Sequence, residues 1–180
     1  RKAASDWQAD ATAAEATYGH VSTWDTSQVT DFTYAFYGVW FNEDLSHWDV
    51  SNATNMDSMF NNAGAFNQDI GDWDVSSVTS MQNMFRYASA FDGDISAWDT
   101  SSVKRMDFMF AYDGGFNQDI GDWDVSTVSN MSYMFYAAWR FNQDIGGWDV
   151  SNVTNMQNMF GARSVPFDHM TYAPWYAAWA

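Results

Sequence analysis

The chain has 180 residues, of which 47% are hydrophobic and 19% aromatic, so it holds enough apolar material for a buried core. Its formal net charge is −16, which disfavours nucleic acid and anionic membranes as partners because both would repel it. Metal cations and basic proteins stay open as partners. No apolar run approaches the ~20 residues that span a bilayer, so no membrane insertion is expected.

The start of the chain gives little information on targeting. Residue 1 is Arg, and neither an initiating Met nor a signal sequence precedes it, so we expect a processed product or a fragment. Cysteine is absent, so the redox compartment cannot be inferred and disulfides contribute nothing to stability. We predict that residues 1–20 form a small N-terminal helical cap, with its helix around residues 6–18.

A repeat of 25 residues follows and occupies most of the chain. The dipeptide Trp-Asp recurs with spacings of 24, 25, 25, 25 and 25 residues, and ten of the 11 Met residues fall in two columns of the same register. A fixed period of this size is typical of stacked repeats. The sequence therefore predicts six repeats over residues 21–160. The Trp residues that mark them are Trp24, Trp48, Trp73, Trp98, Trp123 and Trp148.

One repeat, taken from Ile70 to Phe91, combines two spacings of apolar residues. Its first part, which holds Trp73, Val75 and Val78, follows the spacing L-x-x-L-x-L and predicts a short strand. Its second part steps by three and four, which predicts a helix. The segment 79–82, TSMQ, matches a capping box and would start that helix. A single strand–helix–loop unit cannot bury its apolar face, so neighbouring units must stack.

The aromatic columns are predicted to be structural. If the strands form one parallel sheet, the six Trp residues lie inside, ~4.8 Å apart. Two Phe columns join them in the predicted core: Phe60, Phe85, Phe110, Phe135 and Phe160, and then Phe66, Phe91, Phe116 and Phe141. Trp40 and Trp139 lie outside this register and are predicted to be exposed, where sugar stacking is an alternative role for them.

Two columns of Asp are expected on the outside. The first follows the Trp residues and is the candidate binding site: Asp25, Asp49, Asp74, Asp99, Asp124 and Asp149. The second comes from the FNQD turns: Asp44, Asp69, Asp94, Asp119 and Asp144. Carboxylates at a spacing of ~4.8 Å repel one another. Hydrogen bonds from Ser and backbone N–H groups, Ca²⁺ bound between repeats at the first column, or a basic partner along the sheet would each offset that repulsion.

The repeat motif resembles the BspA-type leucine-rich-like repeats of bacterial surface proteins and lipoproteins. The shared pattern is N/D-x-D-[IL]-x-x-W-D-[VT]-S-x-V-T-x-M-x-x-M-F, over roughly residues 20–160. This resemblance implies an α/β fold, a right-handed leucine-rich-repeat-like solenoid with one parallel sheet and short helices on the opposite side. It implies no catalytic residues. The register fails beyond Phe160, so residues 161–180 are predicted to be a C-terminal cap or a truncated repeat.

No sequence pattern points to catalysis. The three His residues, His20, His47 and His169, are scattered, and no G-x-S-x-G, P-loop or G-x-G-x-x-G motif is present. Three sequons, at Asn52, Asn130 and Asn152, would carry glycans only in a eukaryotic secretory route. We therefore predict no enzyme, and no cofactor besides the candidate Ca²⁺.

The predicted function is an extracellular or cell-surface recognition and adhesion module. Its acidic sheet face would contact a protein or cell-surface ligand, with a basic protein as one such partner. The alternative is a structural subunit that packs with neighbouring subunits into a larger extracellular assembly or filament.

Overall fold

The computed structural model describes residues 2–161. It begins with two short helices, α1 (Lys2–Ala9) and α2 (Ala11–Tyr18), followed by a 3-10 helix at Val21–Thr23. Asp10 caps α2, since its carboxylate accepts a hydrogen bond from the backbone N–H of Ala13 at 3.0 Å. The cap or truncated repeat predicted for residues 161–180 lies outside the described residues except for Gly161, as does His169.

Helix α1 packs on the first repeat. The side-chain amide of Gln8 donates to the carbonyl of Ala35 at 2.7 Å, and the buried Trp7 meets Trp24 edge to face with ring centroids 5.8 Å apart. The apolar end of the repeat array is therefore covered by aromatic contacts from the helical segment.

The predicted fold class is wrong. Between residues 24 and 161, within the described part of the chain, there is no α-helix and no β-strand, so neither the parallel sheet nor the leucine-rich-repeat-like solenoid is present. Parallel pairing is limited to isolated bridges seven residues after each Trp, not at the Trp-Asp-Val segment where the strand is predicted. These bridges are Asp31↔Asn55, Asn55↔Ser80, Ser80↔Arg105, Arg105↔Asn130 and Asn130↔Asn155.

The predicted helix is absent because the backbone changes handedness twice within each of the first five repeats. In the second repeat, Ser58 and Asn62 have φ angles of 57° and 61°. An L-residue in this left-handed region cannot continue a right-handed helix. The capping box at 79–82 accordingly starts no helix, and the next residue, Asn83, has a φ of 56°.

Consecutive tight turns produce the apolar steps of three and four. The N–H of Met59 donates to the carbonyl of Met56 at 3.2 Å, and the N–H of Ala63 donates to that of Phe60 at 3.0 Å. The N–H groups that alternate with these donate to the next repeat instead, as when Ser58 donates to the carbonyl of Gln82 at 2.8 Å. Local turns and cross-repeat bonds thus share the backbone donors that a helix would have used.

The cross-repeat bonds make each repeat one layer of a stack. Layers 1 to 6 begin at Trp24, Trp48, Trp73, Trp98, Trp123 and Trp148. Layers 1 to 5 each donate four of these bonds to the next layer, from the N–H groups of residues 32, 34, 36 and 38; 56, 58, 60 and 62; 81, 83, 85 and 87; 106, 108, 110 and 112; and 131, 133, 135 and 137.

The predicted aromatic columns lie in the core, as expected, except at Trp24, and the Met columns of the repeat are buried with them. Both Phe columns are buried, and successive rings from Phe36 to Phe160 stack with centroids 5.6–5.8 Å apart. The Trp residues of layers 2 to 6 are also buried, and each indole N–H donates to a carbonyl 27 or 28 residues earlier at 2.9–3.1 Å. Trp24 is half-buried. Aromatic stacking and indole hydrogen bonds thus hold the layers in register.

A search of residues 2–161 for membrane spans found no helix that is both long and apolar enough to cross a bilayer.

Candidate functional site

The acidic ladder, defined as the Asp residues that follow the six Trp residues, is exposed in every layer. Its members are Asp25, Asp49, Asp74, Asp99, Asp124 and Asp149. The Trp before each Asp points into the core and the Asp points to solvent, as predicted. They do not lie on a sheet, however, because each one stands at a turn.

Each ladder carboxylate is fixed by the Ser two residues later. The Oδ1 of Asp49 accepts the N–H of Ser51 at 3.0 Å and its hydroxyl at 2.7 Å, and Asp25 has the same two bonds from Ser27 at 3.0 and 2.7 Å. In all six layers Oδ1 accepts the Ser backbone N–H at 2.9–3.1 Å. This Asx turn is a local feature of the Asp-x-Ser sequence, so the ladder is set by residues close in the chain.

The same hydrogen bonds stabilise the ionised form of the ladder. The hydroxyl and the N–H of Ser51 lower the pKa of Asp49, and those of Ser27 lower the pKa of Asp25. The charge of Asp25 acts on the pKa of Asp49 in the opposite direction, but the net shift stays downward. Local hydrogen bonding therefore outweighs the repulsion between neighbouring layers.

The far end of the ladder behaves in the same way. Hydrogen bonds from Ser101 lower the pKa of Asp99 although the charge of Asp124 opposes them. At Asp149 the backbone N–H of Ser151 contributes most to the lowered pKa. The ladder is thus a row of carboxylates that share one environment.

The second acidic row, from the FNQD turns, is also held by its own backbone. The Oδ1 of each Asp accepts the N–H of the residue two positions later at 2.8–3.2 Å. The hydrogen bonds predicted between these carboxylates and their turns are therefore present. The members are Asp44, Asp69, Asp94, Asp119 and Asp144.

The candidate Ca²⁺ site at the ladder gains no support. Among residues 2–161, no group of three or more His, Cys, Asp or Glu side chains is arranged to hold a metal ion. Ca²⁺ takes six to eight oxygen ligands. The Asx turns also commit one oxygen of each carboxylate to the backbone.

The predicted exposure of two off-register aromatics is confirmed. Trp40 is 87% exposed and Trp139 is 52% exposed. His20 lies 3.4 Å from the carboxylate of Glu43, whereas His47 is exposed near the turn of Asp44. At the sequons, the amides of Asn52 and Asn152 donate to carbonyls of the preceding layer at 2.8 and 2.7 Å.

A partly exposed aromatic cluster, which the repeat pattern did not predict, lies on the surface of layers 3 to 5. The aromatic ridge comprises Arg86, Tyr87, Phe108, Tyr112, Tyr133 and Tyr136. Its rings stack across layers: Tyr87 and Tyr112 with centroids 4.5 Å apart, Phe108 and Tyr133 with centroids 4.6 Å apart. The guanidinium carbon of Arg86 lies 5.0 Å from the ring centroids of both Tyr87 and Phe108, a cation–π geometry.

Reading the variable columns of the repeat would have found the ridge. The positions of Tyr87 and Tyr112, and those of Phe108 and Tyr133, are equivalent in the 25-residue register. An aromatic residue in the same variable column of adjacent repeats is the signal. The helix prediction concealed it, since it treated these positions as the solvent side of a helix.

A groove borders the ridge on the side of layer 2. It has a volume of about 400 Å³ and is lined by Tyr37, Asn61, Asn62, Arg86 and Tyr87. Tyr37 and Tyr87 are 48% and 40% exposed. We call it the Tyr37–Tyr87 groove.

One buried carboxylate stands apart from both acidic rows. Asp113 in layer 4 is 0% exposed, and its position holds Ala63, Ala88 and Ala138 in other layers, all 0% exposed. Its Oδ1 accepts the N–H of Gly115 at 2.9 Å, but its Oδ2 has no hydrogen-bond partner. Burial raises the pKa of Asp113 well above its usual range.

Comparisons with known proteins identify a family but no function. A family model described as "Mycoplasma protein of unknown function, DUF285" matches residues 7–111 and again residues 72–171. The two matches overlap, as expected when one model is laid on a repeated sequence. No curated protein matches the chain, and no solved structure matches it. The resemblance to BspA-type repeats stays a prediction, because the family's description does not mention such repeats.

Proposed function

Because the chain belongs to the DUF285 family, whose function is unknown, we propose a function from its own surface. The chain is a non-catalytic recognition module, and its acidic ladder contacts a basic protein surface. The observation that carries the proposal is the ladder itself: six exposed carboxylates, one per layer, each fixed by an Asx turn.

Preorganisation is the physical reason that such a row suits binding. A free Asp side chain loses rotamer freedom when it pairs with a cation, and that loss subtracts from affinity. The ladder carboxylates are already held by Ser N–H bonds of 2.9–3.1 Å. The net charge of −16 adds long-range attraction for a basic partner, which mainly raises the association rate.

The uniformity of the ladder favours binding over catalysis. Acid–base catalysis by two carboxylates needs different environments that move their pKa values apart. Along the ladder the pKa shifts go in one direction, downward, at Asp25, Asp49, Asp99, Asp124 and Asp149. Every one of these groups is thus an anion at neutral pH.

The proposed location is extracellular or at the cell surface. The support is the resemblance of the repeat motif to BspA-type proteins, many of which are known only as surface or adhesion-related proteins. A cell-surface protein with a basic patch is the partner class that fits both the resemblance and the charge.

A labelled decalysine peptide provides the probe for a binding test by fluorescence anisotropy. The double variant Asp74→Asn/Asp124→Asn removes two ladder charges, and we expect its affinity to fall about fivefold at low salt. The matched control is Asp72→Asn/Asp122→Asn, which changes two exposed carboxylates in the same two GDWD segments and leaves the ladder intact.

The loss of peptide affinity in the control variant should be less than half of the loss in the ladder variant. Equal losses in both variants would show that only net charge attracts the peptide, and absence of binding by the unmodified chain would reject the proposal. Sizing of the purified chain separates the structural-subunit alternative, since that reading requires oligomers in the absence of any probe.

A further inference from the structure

The aromatic ridge ends abruptly at layer 3. In the column of Tyr87 and Tyr112, layer 2 holds Asn62 and layer 1 holds Gly38. In the column of Arg86, layer 2 holds Asn61 and layer 1 holds Tyr37. The Tyr37–Tyr87 groove therefore lies where layer 2 carries two amides between Tyr37 of layer 1 and the Arg86–Tyr87 pair of layer 3.

Tyr87 lines the groove and is partly exposed there. Tyr112, from layer 4, stacks on one face with centroids 4.5 Å apart and rings inclined by 12°. In layer 2 the equivalent residue is Asn62, which offers no ring for stacking, and Tyr87 is 40% exposed. An aromatic face is electron-rich and attracts groups with weakly positive hydrogens.

Arg86 supplies a cation that no carboxylate neutralises. Within residues 2–161, the basic side chains that form ion pairs are Lys2, His20 and Arg105. The Nε of Arg86 is buried without a hydrogen-bond partner, while Tyr87 and Phe108 hold the guanidinium carbon 5.0 Å from their ring centroids. A guanidinium fixed in this way is suited to pairing with a carboxylate.

The size and lining of the groove restrict its ligand. A volume of about 400 Å³ is within the range of small-molecule sites. The amides of Asn61 and Asn62 both donate and accept hydrogen bonds, which suits hydroxyl groups. A small inorganic anion would use the Arg and the amide N–H groups but leave the Tyr87 ring without a partner.

We propose that the Tyr37–Tyr87 groove binds a pyranose sugar that carries a carboxylate. The C–H face of the sugar stacks on Tyr87, the two Asn amides bond its hydroxyls, and Arg86 pairs with its carboxylate. This site goes beyond the function proposed above because it uses none of the ladder residues. Its ligand is an anion, whereas the proposed partner of the ladder is basic.

Titration calorimetry with methyl β-glucuronide and the neutral methyl β-glucoside tests the site. We expect the glucuronide to bind about tenfold more tightly, since one charge-assisted pair is added. Arg86→Ala, which introduces the residue found at Ala111 in layer 4, should reduce glucuronide affinity to that of the glucoside. The matched control Arg140→Ala removes an exposed Arg outside the groove and should leave both affinities unchanged.

A second variant fills the groove without removing any of the other four lining residues. Asn62→Tyr places a ring in the column of Tyr87 and Tyr112, at a position whose φ of 61° matches their 60°. The variant should fold, which thermal unfolding verifies, and should bind neither sugar. Tyr87→Asn, which introduces the residue of layer 2, should weaken both sugars equally.

Several results would overturn the proposal: no binding of either sugar, equal affinities for the two sugars, an Arg86→Ala variant that keeps its preference, or sugar binding by Asn62→Tyr. The ladder variant Asp74→Asn/Asp124→Asn should bind the glucuronide normally. Failure of the ladder proposal and failure of the sugar proposal are therefore separate outcomes.

Discussion

Uniform columns and variable columns of this array differ in what determines their residues. In a uniform column, such as that of the Trp residues, each side chain contacts adjacent layers, so a change in one copy disturbs its neighbours. In a variable column, the backbone alone is constrained: Asn62, Tyr87 and Tyr112 have φ angles of 61°, 60° and 60° with different side chains. The stability of the fold therefore depends on the uniform columns, whereas the surface features that distinguish one layer from another depend on the variable columns.

The acidic ladder combines both properties. Its Asx turns are required in each layer, which explains why Asp recurs, whereas its charges remain exposed and available. The ridge and the groove, by contrast, occur once, where particular variable residues meet across layers.

The largest expected effect comes from a uniform column. Trp98 is 3% exposed and its indole donates to the carbonyl of Ile70 at 3.0 Å. Trp98→Ala should lower the free energy of unfolding by about 3–5 kcal/mol in urea denaturation, because it leaves a large cavity between layers.

The matched control for that change is Trp40→Ala, at a variable position that is 87% exposed. Its effect should stay within about 0.5 kcal/mol. Similar losses in the two variants would contradict the assignment of stability to the uniform columns.

An intermediate effect on the free energy of unfolding is expected at Asp113, a carboxylate in a buried column. Asp113→Ala restores the Ala found at Ala63, Ala88 and Ala138 and removes a buried oxygen that has no partner. It should raise the free energy of unfolding by about 1–3 kcal/mol at neutral pH. The reciprocal change Ala88→Asp should lower it.

The increase in the free energy of unfolding caused by Asp113→Ala should depend on pH. The pKa of Asp113 is raised in the folded chain, so the folded state binds its proton more tightly than the unfolded state. The destabilisation is therefore complete above the folded pKa and shrinks as pH falls through it, vanishing below the unfolded value of ~3.9. Urea midpoints of the two chains that stay equally far apart from pH 7 down to that value would contradict the buried-carboxylate explanation.

The smallest effect concerns one Asx turn of the ladder. The hydroxyl of Ser51, 2.7 Å from Asp49, contributes most to the lowered pKa of that Asp. Ser51→Ala should raise the pKa of Asp49 toward its usual value in a carboxyl-carbon NMR titration. Asp99, two layers away, serves as the internal control and should not move.

The sign of that change for stability also follows from the lowered pKa. A depressed pKa contributes stability above the unfolded value of ~3.9, and this contribution is lost as pH falls through the folded value. Ser51→Ala should therefore lower the free energy of unfolding at neutral pH, and it should have no effect on it below the folded pKa of Asp49. The opposite sign would mean that the Asx turn does not stabilise the anion.

The sequence predicted the columns correctly because a stack repeats its contacts. Trp73 and Phe85 lie in the core and Asp74 lies outside, as their positions in the register require. The ladder residues are exposed as predicted, although on turns and not on a sheet, and their role as a binding site stays a prediction. The strand and the helix were wrong, since alternation and steps of three and four also fit consecutive turns.

The ridge, the groove and the burial of Asp113 were not predictable from one repeat. Arg86 and Phe108 come from different layers, and their contact depends on how one layer is placed over the next. The segment YDGG by itself suggests that Asp113 is an ordinary turn residue. Its burial becomes evident only when Asp113 is aligned with the buried Ala88.

The amino-acid sequence by itself determined the 25-residue period, the aromatic core columns and the local Asp-x-Ser turns, because each depends on residue type at a fixed interval or on neighbours in the chain. Only the tertiary structure decided that the backbone of each layer turns left-handed at residues such as Ser58 and Asn62. The physical reason is that these conformations are stabilised by hydrogen bonds to the next layer, as from Ser58 to Gln82, and such bonds exist only when the layers are stacked.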